Sequence, residues 1–412
     1  DELGAALGAL VERLAADAAI KGLVLASAKK DFLAGADIDR LRALASAREA
    51  FDESMRFKKI LRKMELGGKP VVAAIAGKCL GGGLEIALAC HHRIVLDDGR
   101  ARLGLPEVKL GLLPGGGGTQ RLPRLVGMQQ ALRWMTEGSD IRAAQALESG
   151  LVGALATSAD DLVAQARAWI LANPAARQPW DGPRFRYPGG DSRSPAAAQL
   201  FSVAPSMASV RSQGNYPAIT HILSCVFEGG VVGFDAALEI ESRHFAACAM
   251  SQESRNMVGT LWYQLQAIDK GASRPAGFEP RRVARLGILG AGMMGAGIAY
   301  VAARAGIAVM LLDALPDNAV KGRQVSQDLL DKAVRQGRCT PDQRDATLAR
   351  ITPTVRFEDL AACDLVIEAV FEDRAVKADV TRRTEALLAS DAIFASNTST
   401  LPITGLAEAS VR

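Results

Sequence analysis

The stretch "VARLGILGAGMMGAGIAYVAARAGIAVMLLD", residues 283 to 313, limits the fold more than any other part of the chain. An apolar run, "RLGIL", leads into three glycines spaced G-x-G-x-x-G (Gly290, Gly292, Gly295). An Ala-rich run follows, and a second apolar run, "IAVMLLD", closes on Asp313. That order reads as strand, tight turn, helix and strand, the βαβ context without which a lone G-x-G-x-x-G means little. Glycines at the turn admit a pyrophosphate to the helix N-terminus, where unpaired amides and the helix dipole favour anionic oxygen. Asp313 lies 21 residues past Gly292. An acid there can accept both ribose hydroxyls and would repel a 2′-phosphate, so the pattern predicts NAD rather than NADP. From Leu286 to Ala303 there is no charged residue, but five glycines interrupt the run, which argues against a membrane span.

The length of 412 residues allows two or three domains, each able to bury a core. With 49% apolar and 23% charged residues the chain is globular rather than disordered. Its net charge of +4 comes from interspersed acids and bases, which leaves no footprint for nucleic acid or an anionic membrane. The six cysteines stand far apart with no C-x-x-C pair, so neither a zinc site nor a disulfide framework is suggested, and a reducing cytosol is the simplest setting. The opening "DELGAALGAL" carries acids where a signal peptide would be basic.

Upstream of residue 271, strands and helices alternate. Residues 1 to 16 have helical periodicity; "KGLVLAS" (21 to 27), "PVVAAIAG" (70 to 77) and "RIVLDD" (93 to 98) read as strands. The second of these runs into Gly81, Gly82 and Gly83 and then a helix from about Gly83 to Cys90. Such alternation is α/β architecture. From about 115 to 172 the pattern is mostly helical, and residues 173 to 195 break it with five prolines, as a surface connector does. Helical patterns resume between 216 and 270, and "GASRPAGFEPRR" (271 to 282) reads as a linker. The chain therefore divides into residues 1–255, a domain with a helical extension; 256–282, a linker helix and linker; and 283–412, a nucleotide-binding domain.

"GKCLGGGLEIALAC", residues 77 to 90, sets Glu85 on the first turn of a helix behind three glycines. Unpaired amides and the helix dipole favour a negative oxygen there, and the bare backbone lets a ligand carbonyl approach. An acid that merely complements the dipole is the alternative these residues alone leave open. "FLAGADI" (32 to 38) is another small-residue turn after a strand. "LGLPEVKLGLLPGGGGTQRLPRLVG" (103 to 127) presents Glu107 straight after a proline and ahead of a Gly-rich helix start. In order and spacing these three motifs resemble the enoyl-CoA hydratase/isomerase family, the crotonases, over roughly residues 1 to 170.

The resemblance implies a ββα spiral and acyl-CoA thioester substrates. It places an oxyanion hole on the main-chain amides of Ala36 and Gly82 and paired acids at Glu85 and Glu107. An α,β-unsaturated thioester becomes electrophilic at C3 when charge moving onto its carbonyl oxygen is stabilised, and losing one aimed donor costs about 3 kcal/mol in barrier. Glu85 then holds and deprotonates water while Glu107 exchanges a proton with C2. Relatives that only isomerise commonly lack one of the acids, and this chain keeps both, which favours hydration; a crotonase acting only as an isomerase or thioester hydrolase, or a thioester-binding protein without turnover, is the alternative. His91 and His92 have no acid or cysteine at ligand spacing and read as dipole partners or packing residues.

Further on, "CDLVIEAVFEDRAVKADV" (363 to 380) and "AIFASNTSTLPIT" (392 to 404) resemble the 3-hydroxyacyl-CoA dehydrogenase family. That resemblance places cofactor contacts at Met294, Asp313, Glu372 and Lys377 beside Gly290, Gly292 and Gly295, and a substrate-hydroxyl contact at Ser399. It also implies a histidine after that serine, whereas no histidine follows His244. The opening strands typical of crotonases are also missing, so the chain is expected to be a fragment of a longer protein. A hydratase followed by a dehydrogenase resembles the multifunctional fatty-acid oxidation enzymes, which implies NAD as cofactor, a thiolase β subunit as partner, and a cytoplasmic setting in bacteria or a peroxisomal one in eukaryotes.

Overall fold

The structure, a computed structural model, describes residues 2–35 and 37–412. Contacts divide it into two compact units, the first ending at Arg274 and the second spanning Pro275–Arg412.

The first unit is built from a repeated strand, strand, helix turn. Strands β1 (Leu23–Ala26) and β2 (Leu33–Ala34) lead to helices Ile38–Ala43 and Ala47–Leu66. Strands β3 (Val71–Ile75) and β4 (Lys78–Leu80) lead to helix Gly82–Ala89. Strands β5 (His92–Leu96) and β6 (Arg102–Gly104) lead to the 3-10 turn Glu107–Leu110 and helix Gly118–Val126, and β7 (Ala154–Ala156) follows. The odd strands form one parallel sheet in the order β1-β3-β5-β7, and the even strands a second, β2-β4-β6. This is the ββα spiral of the crotonases. All five residues of β3 are buried, because the sheet is covered on both faces. Val72, Ala74, Ile94 and Leu96 pack on helix Ala159–Ala172, while Val71, Ala73, Ile75 and Val95 belong to the main core. Helix Ala47–Leu66 runs along helix Phe234–Met250. Past residue 250 the chain stays against this unit: the Ser254 hydroxyl donates to the Leu110 carbonyl at 3.1 Å and Tyr263 to Asp39.

The second unit holds β8 (Arg285–Leu289), β9 (Ala308–Leu312), β10 (Ile351–Thr354), β11 (Leu365–Glu368) and β12 (Ile393–Ser396) in one parallel sheet ordered β10-β9-β8-β11-β12. The order reverses direction between β8 and β11, and in such doubly wound sheets that switch point is where a ligand sits beyond the strand ends. This is a Rossmann-type arrangement with helix Met293–Arg304 crossing from β8 to β9. Among the described residues no helix is long and apolar enough to cross a membrane.

Several short pieces differ from the sequence reading. Strands β2, β4, β6 and β7 hold two or three residues each and carry no readable periodicity. Helix Pro195–Ser212 fills a stretch that the sequence pattern left without an element; its start is marked by Ser194, whose hydroxyl accepts from the Ala197 amide at 3.2 Å.

Candidate active site and nucleotide site

Helix Gly82–Ala89 begins directly after β4, and Gly81 caps it with a φ of 57°. Neighbours crowd the turn. A Cβ on Gly81 would lie 3.1 Å from Glu107 Oε1, and one on Gly83 would lie 2.3 Å from the Leu33 carbonyl oxygen. The bare backbone therefore lets both β2 and the Glu107 carboxyl close on the start of the helix. Gly82, as the first helical residue, has no intrahelical acceptor for its N–H. Ala36, the second expected donor, lies outside the described residues.

Glu85 and Glu107 line one cavity of about 600 Å³ together with Gly82, Phe57, Leu113 and Phe245. Glu85 is buried, and its Oε1 accepts from the amides of Gly116 at 2.7 Å and Gly118 at 2.8 Å. A Cβ on either glycine would stand 2.8 or 2.9 Å from the same carboxyl, so the unbroken glycine run is what lets the loop fold over Glu85. Burial lifts the Glu85 pKa to about 7, helped by the negative charge of Glu241 and opposed by the two amides and by Lys58. Glu107 follows Pro106 on the 3-10 turn. Its Oε2 is buried with no hydrogen-bond partner among the described residues. Burial, then the charge of Glu85, pushes its pKa well above the usual carboxylate range. A buried carboxyl oxygen left unpaired at the wall of a cavity implies a polar ligand or water opposite it. Two carboxyl groups whose pKa values are raised by a dry site can carry protons near neutrality.

The sequence reading did not single out the charges behind this loop. Lys58 and Glu241 form an ion pair of 2.8 Å with both side chains buried, and Arg121 and Glu65 form another of 2.7 Å. Each partner comes from a different helix, so no local pattern announces the pairing. The histidines pack. His91 Nδ1 accepts from the Val71 amide at 3.0 Å, and the His92 ring stacks on Trp169 with centroids 4.6 Å apart, its pKa lowered to about 4 by burial and by Arg93.

In the second unit the G-x-G-x-x-G loop joins β8 to helix Met293–Arg304. Gly290 has a φ of 94°, and a Cβ on Gly295 would fall 1.8 Å from the Gly290 carbonyl oxygen, so helix and strand approach as only glycine allows. Nothing would meet a Cβ on Gly292, the helix N-cap, so the space above the turn is open for a phosphate. Met294 is half exposed at the same helix start. Asp313, past the end of β9, accepts from the Ala291 amide at 2.9 Å and so stands beside the glycine loop. Beyond β11, Lys377 Nζ pairs with Glu372 at 2.9 Å and with the buried Glu368 at 2.9 Å. Glu372 also accepts from the Ser399 amide at 3.0 Å. Lys377 foremost, then Thr398 and Ser399, hold its pKa down at about 2. The expected residues thus fall into two groups at the strand ends on either side of the switch point: Gly290, Gly292, Met294, Gly295 and Asp313 in one, Glu372, Lys377 and Ser399 in the other. Glu368, which clamps Lys377 and accepts from the Ser396 hydroxyl, was not anticipated. The residues fit a dinucleotide.

Comparison with known proteins agrees on both units. Residues 1–177 match the enoyl-CoA hydratase/isomerase family, and residues 285–412 match the NAD binding domain of 3-hydroxyacyl-CoA dehydrogenase. The whole chain is 40% identical to the fatty acid oxidation complex subunit alpha of Shewanella baltica over 421 residues, and spans 58% of that relative's length. Among solved structures, (S)-3-hydroxybutyryl-CoA dehydrogenase PaaH1 from Ralstonia eutropha is 34% identical, covering 32% of this chain and 46% of that one with a TM-score of 0.31. An enoyl-CoA hydratase from Bacillus halodurans is 20% identical, covering 63% and 89%, with a TM-score of 0.45. Residues 1–177 are thus similar to the enoyl-CoA hydratase/isomerase family and residues 285–412 to the NAD binding domain of 3-hydroxyacyl-CoA dehydrogenase, both within a single colinear match to fatty acid oxidation complex subunit alpha.

Proposed function

We propose that the first unit hydrates 2-enoyl-CoA thioesters to 3-hydroxyacyl-CoA, and that the second binds NAD for oxidation of that product to 3-ketoacyl-CoA in fatty-acid β-oxidation. The observation that carries the reading is the single cavity faced by Glu85, Glu107 and the N-terminus of helix Gly82–Ala89. Glu85, fixed through one oxygen by two amides, keeps its other oxygen for water. It takes a proton from that water as the oxygen bonds to C3. The electron pair displaced from the double bond moves onto the thioester oxygen, which the Gly82 amide stabilises together with that of residue 36. Glu107, whose protonated form is favoured by burial and by the charge of Glu85, delivers its proton to C2. The same Glu107, moving a proton between C2 and C4, would also convert 3-enoyl into 2-enoyl thioesters.

NAD would serve the second unit as a two-electron oxidant. There Gly290, Gly292 and Gly295 would hold the pyrophosphate with Met294 beside them, and Asp313 would take the ribose hydroxyls. Lys377, aligned by Glu372, would meet a ribose or phosphate oxygen, and Ser399 would hold the substrate hydroxyl. In domain terms residues 1–255 act as the hydratase with its helical extension, 256–282 as linker, and 283–412 as the NAD-binding part. The relative is the alpha subunit of a complex; for this chain we propose a thiolase β subunit as the partner and the cytoplasm as the compartment. Incubating the protein with 2-enoyl-CoA and 3-enoyl-CoA in parallel, and following loss of the conjugated thioester absorbance and appearance of 3-hydroxyacyl-CoA, tests the reading. Hydration of the 2-enoyl substrate is expected; free CoA release alone would make the unit a thioester hydrolase, and binding without turnover would make it a carrier.

A further inference from the structure

The glycine loop that covers Glu85 is gripped from two sides. Its amides alternate: those of Gly116 and Gly118 point to Glu85, and those of Gly117 and Thr119 point to Glu241, at 2.6 and 2.9 Å. The Thr119 hydroxyl adds a third bond to Glu241, of 2.5 Å. Glu241 belongs to helix Phe234–Met250, beyond the residues 1–177 that match the hydratase family. It is fully buried, and its charge is met by Lys58 from helix Ala47–Leu66. Lys58 Nζ in turn donates to the Leu238 carbonyl at 2.8 Å and the Ser242 hydroxyl at 2.7 Å. An ion pair this dry is a poor way to gain stability, since desolvating both charges offsets most of their attraction. Its geometry suits a different purpose. With Gly117 and Thr119 tied to Glu241, the amide of Gly118 between them and that of Gly116 before them are turned toward Glu85.

We infer that Glu241 and Lys58 are positioning residues for Glu85, so that helix Phe234–Met250 is an integral part of the hydratase site. This deepens the hydratase reading and rests on it. The pair also sets the electrostatic environment of the acid. The charged groups facing Glu85 are Glu107 on its 3-10 turn, Glu241 on the later helix and Lys58 on the earlier one. Glu241 disfavours the ionised form of Glu85 and Lys58 favours it. Changing either charge therefore moves Glu85 in opposite senses, which a merely structural role would not do.

The test measures the pH dependence of kcat/KM for hydration in the parent, Lys58→Met and Glu241→Gln, each corrected for folded fraction by circular dichroism. The acidic limb, which reports ionisation of the base, is expected to move up in Lys58→Met and down in Glu241→Gln, each by about half a pH unit or more. Limbs that coincide with the parent's in both variants, or that move the same way, overturn the inference. If the charge variants fail to fold, Thr119→Val removes one hydrogen bond from Glu241 and no charge. A several-fold loss of kcat at parental KM is then expected, and parental kcat overturns the idea. Should the parent not hydrate, the hydratase reading falls by itself. The same shifts in Glu85 can still be read from how the unfolding free-energy gap between Glu85→Gln and its Glu85 counterpart varies with pH in each background, and unmoved gaps reject the positioning role.

Discussion

Replacing Glu85 by Gln should make the first unit more stable at neutral pH while disabling it. The Gln carbonyl oxygen can take the place of Oε1 and accept the amides of Gly116 and Gly118, so the loop keeps its anchor. What the variant loses is an ionisation that the fold resists. A carboxyl free in the unfolded chain titrates near 4.5, whereas burial and Glu241 hold Glu85 at about 7. Because the folded-state pKa is the higher one, the folded protein binds the proton more tightly. Parent stability from this group is therefore largest below the unfolded pKa and falls as pH rises from about 4.5 to about 7, with no further change above. The full linkage amounts to about 3 kcal/mol. Since Glu85 shares its charge field with Glu107, Glu241 and Lys58, the single substitution is expected to deliver about half of that or more. Urea unfolding of parent and Glu85→Gln at pH 5, 6, 7 and 8, followed by tryptophan fluorescence, measures it. Trp134, Trp169, Trp180 and Trp262 all precede Arg274, so the signal reports the first unit alone. The difference in unfolding free energy should swing in favour of Gln between pH 5 and 8. A constant difference across that range would refute the claim that Glu85 is a strained, dry carboxyl.

In the second unit, Gly295→Ala would place a methyl group 1.8 Å from the Gly290 carbonyl oxygen, and NADH affinity measured by fluorescence titration should weaken about tenfold or more, which is about 1.4 kcal/mol. Unchanged affinity would mean that the turn relaxes freely and does not shape the site. Asp313→Ala removes the acid beside the glycine loop; the ratio of NAD to NADP affinity should fall about tenfold, through loss of ribose contacts and of repulsion toward a 2′-phosphate. Titration of the variant with both reduced nucleotides checks this, and an unaltered ratio would remove Asp313 from the cofactor reading.

Much of the chain was legible because its site elements are punctuated by glycine and proline. Gly81 to Gly83 mark a strand-to-helix turn, Pro106 marks the start of the turn carrying Glu107, and the βαβ glycines sit where β8 ends. Each signal is local and follows from what only glycine or proline can do in the backbone. Strands of two or three residues escaped because a period of two cannot be recognised in so short a run. Helix Pro195–Ser212 escaped because it buries little of itself: Val203, Met207 and Val210 are exposed while Ala197 is buried, so no apolar stripe forms. The deeper omission was Lys58 with Glu241, and Glu368 with Lys377. A buried ion pair is a relation between residues on different elements, and a sequence shows two ordinary charges until the fold brings them together.

We propose that Glu85 and Glu107 act on one bound thioester. The most direct test is the initial rate of 2-enoyl-CoA hydration in Glu107→Gln, measured beside the dissociation constant for a saturated acyl-CoA in the same variant. Hydration, and with it 3-enoyl to 2-enoyl isomerisation, should fall by about a hundredfold or more, while the acyl-CoA binds as it does to the parent. Hydration at close to the parental rate would contradict it.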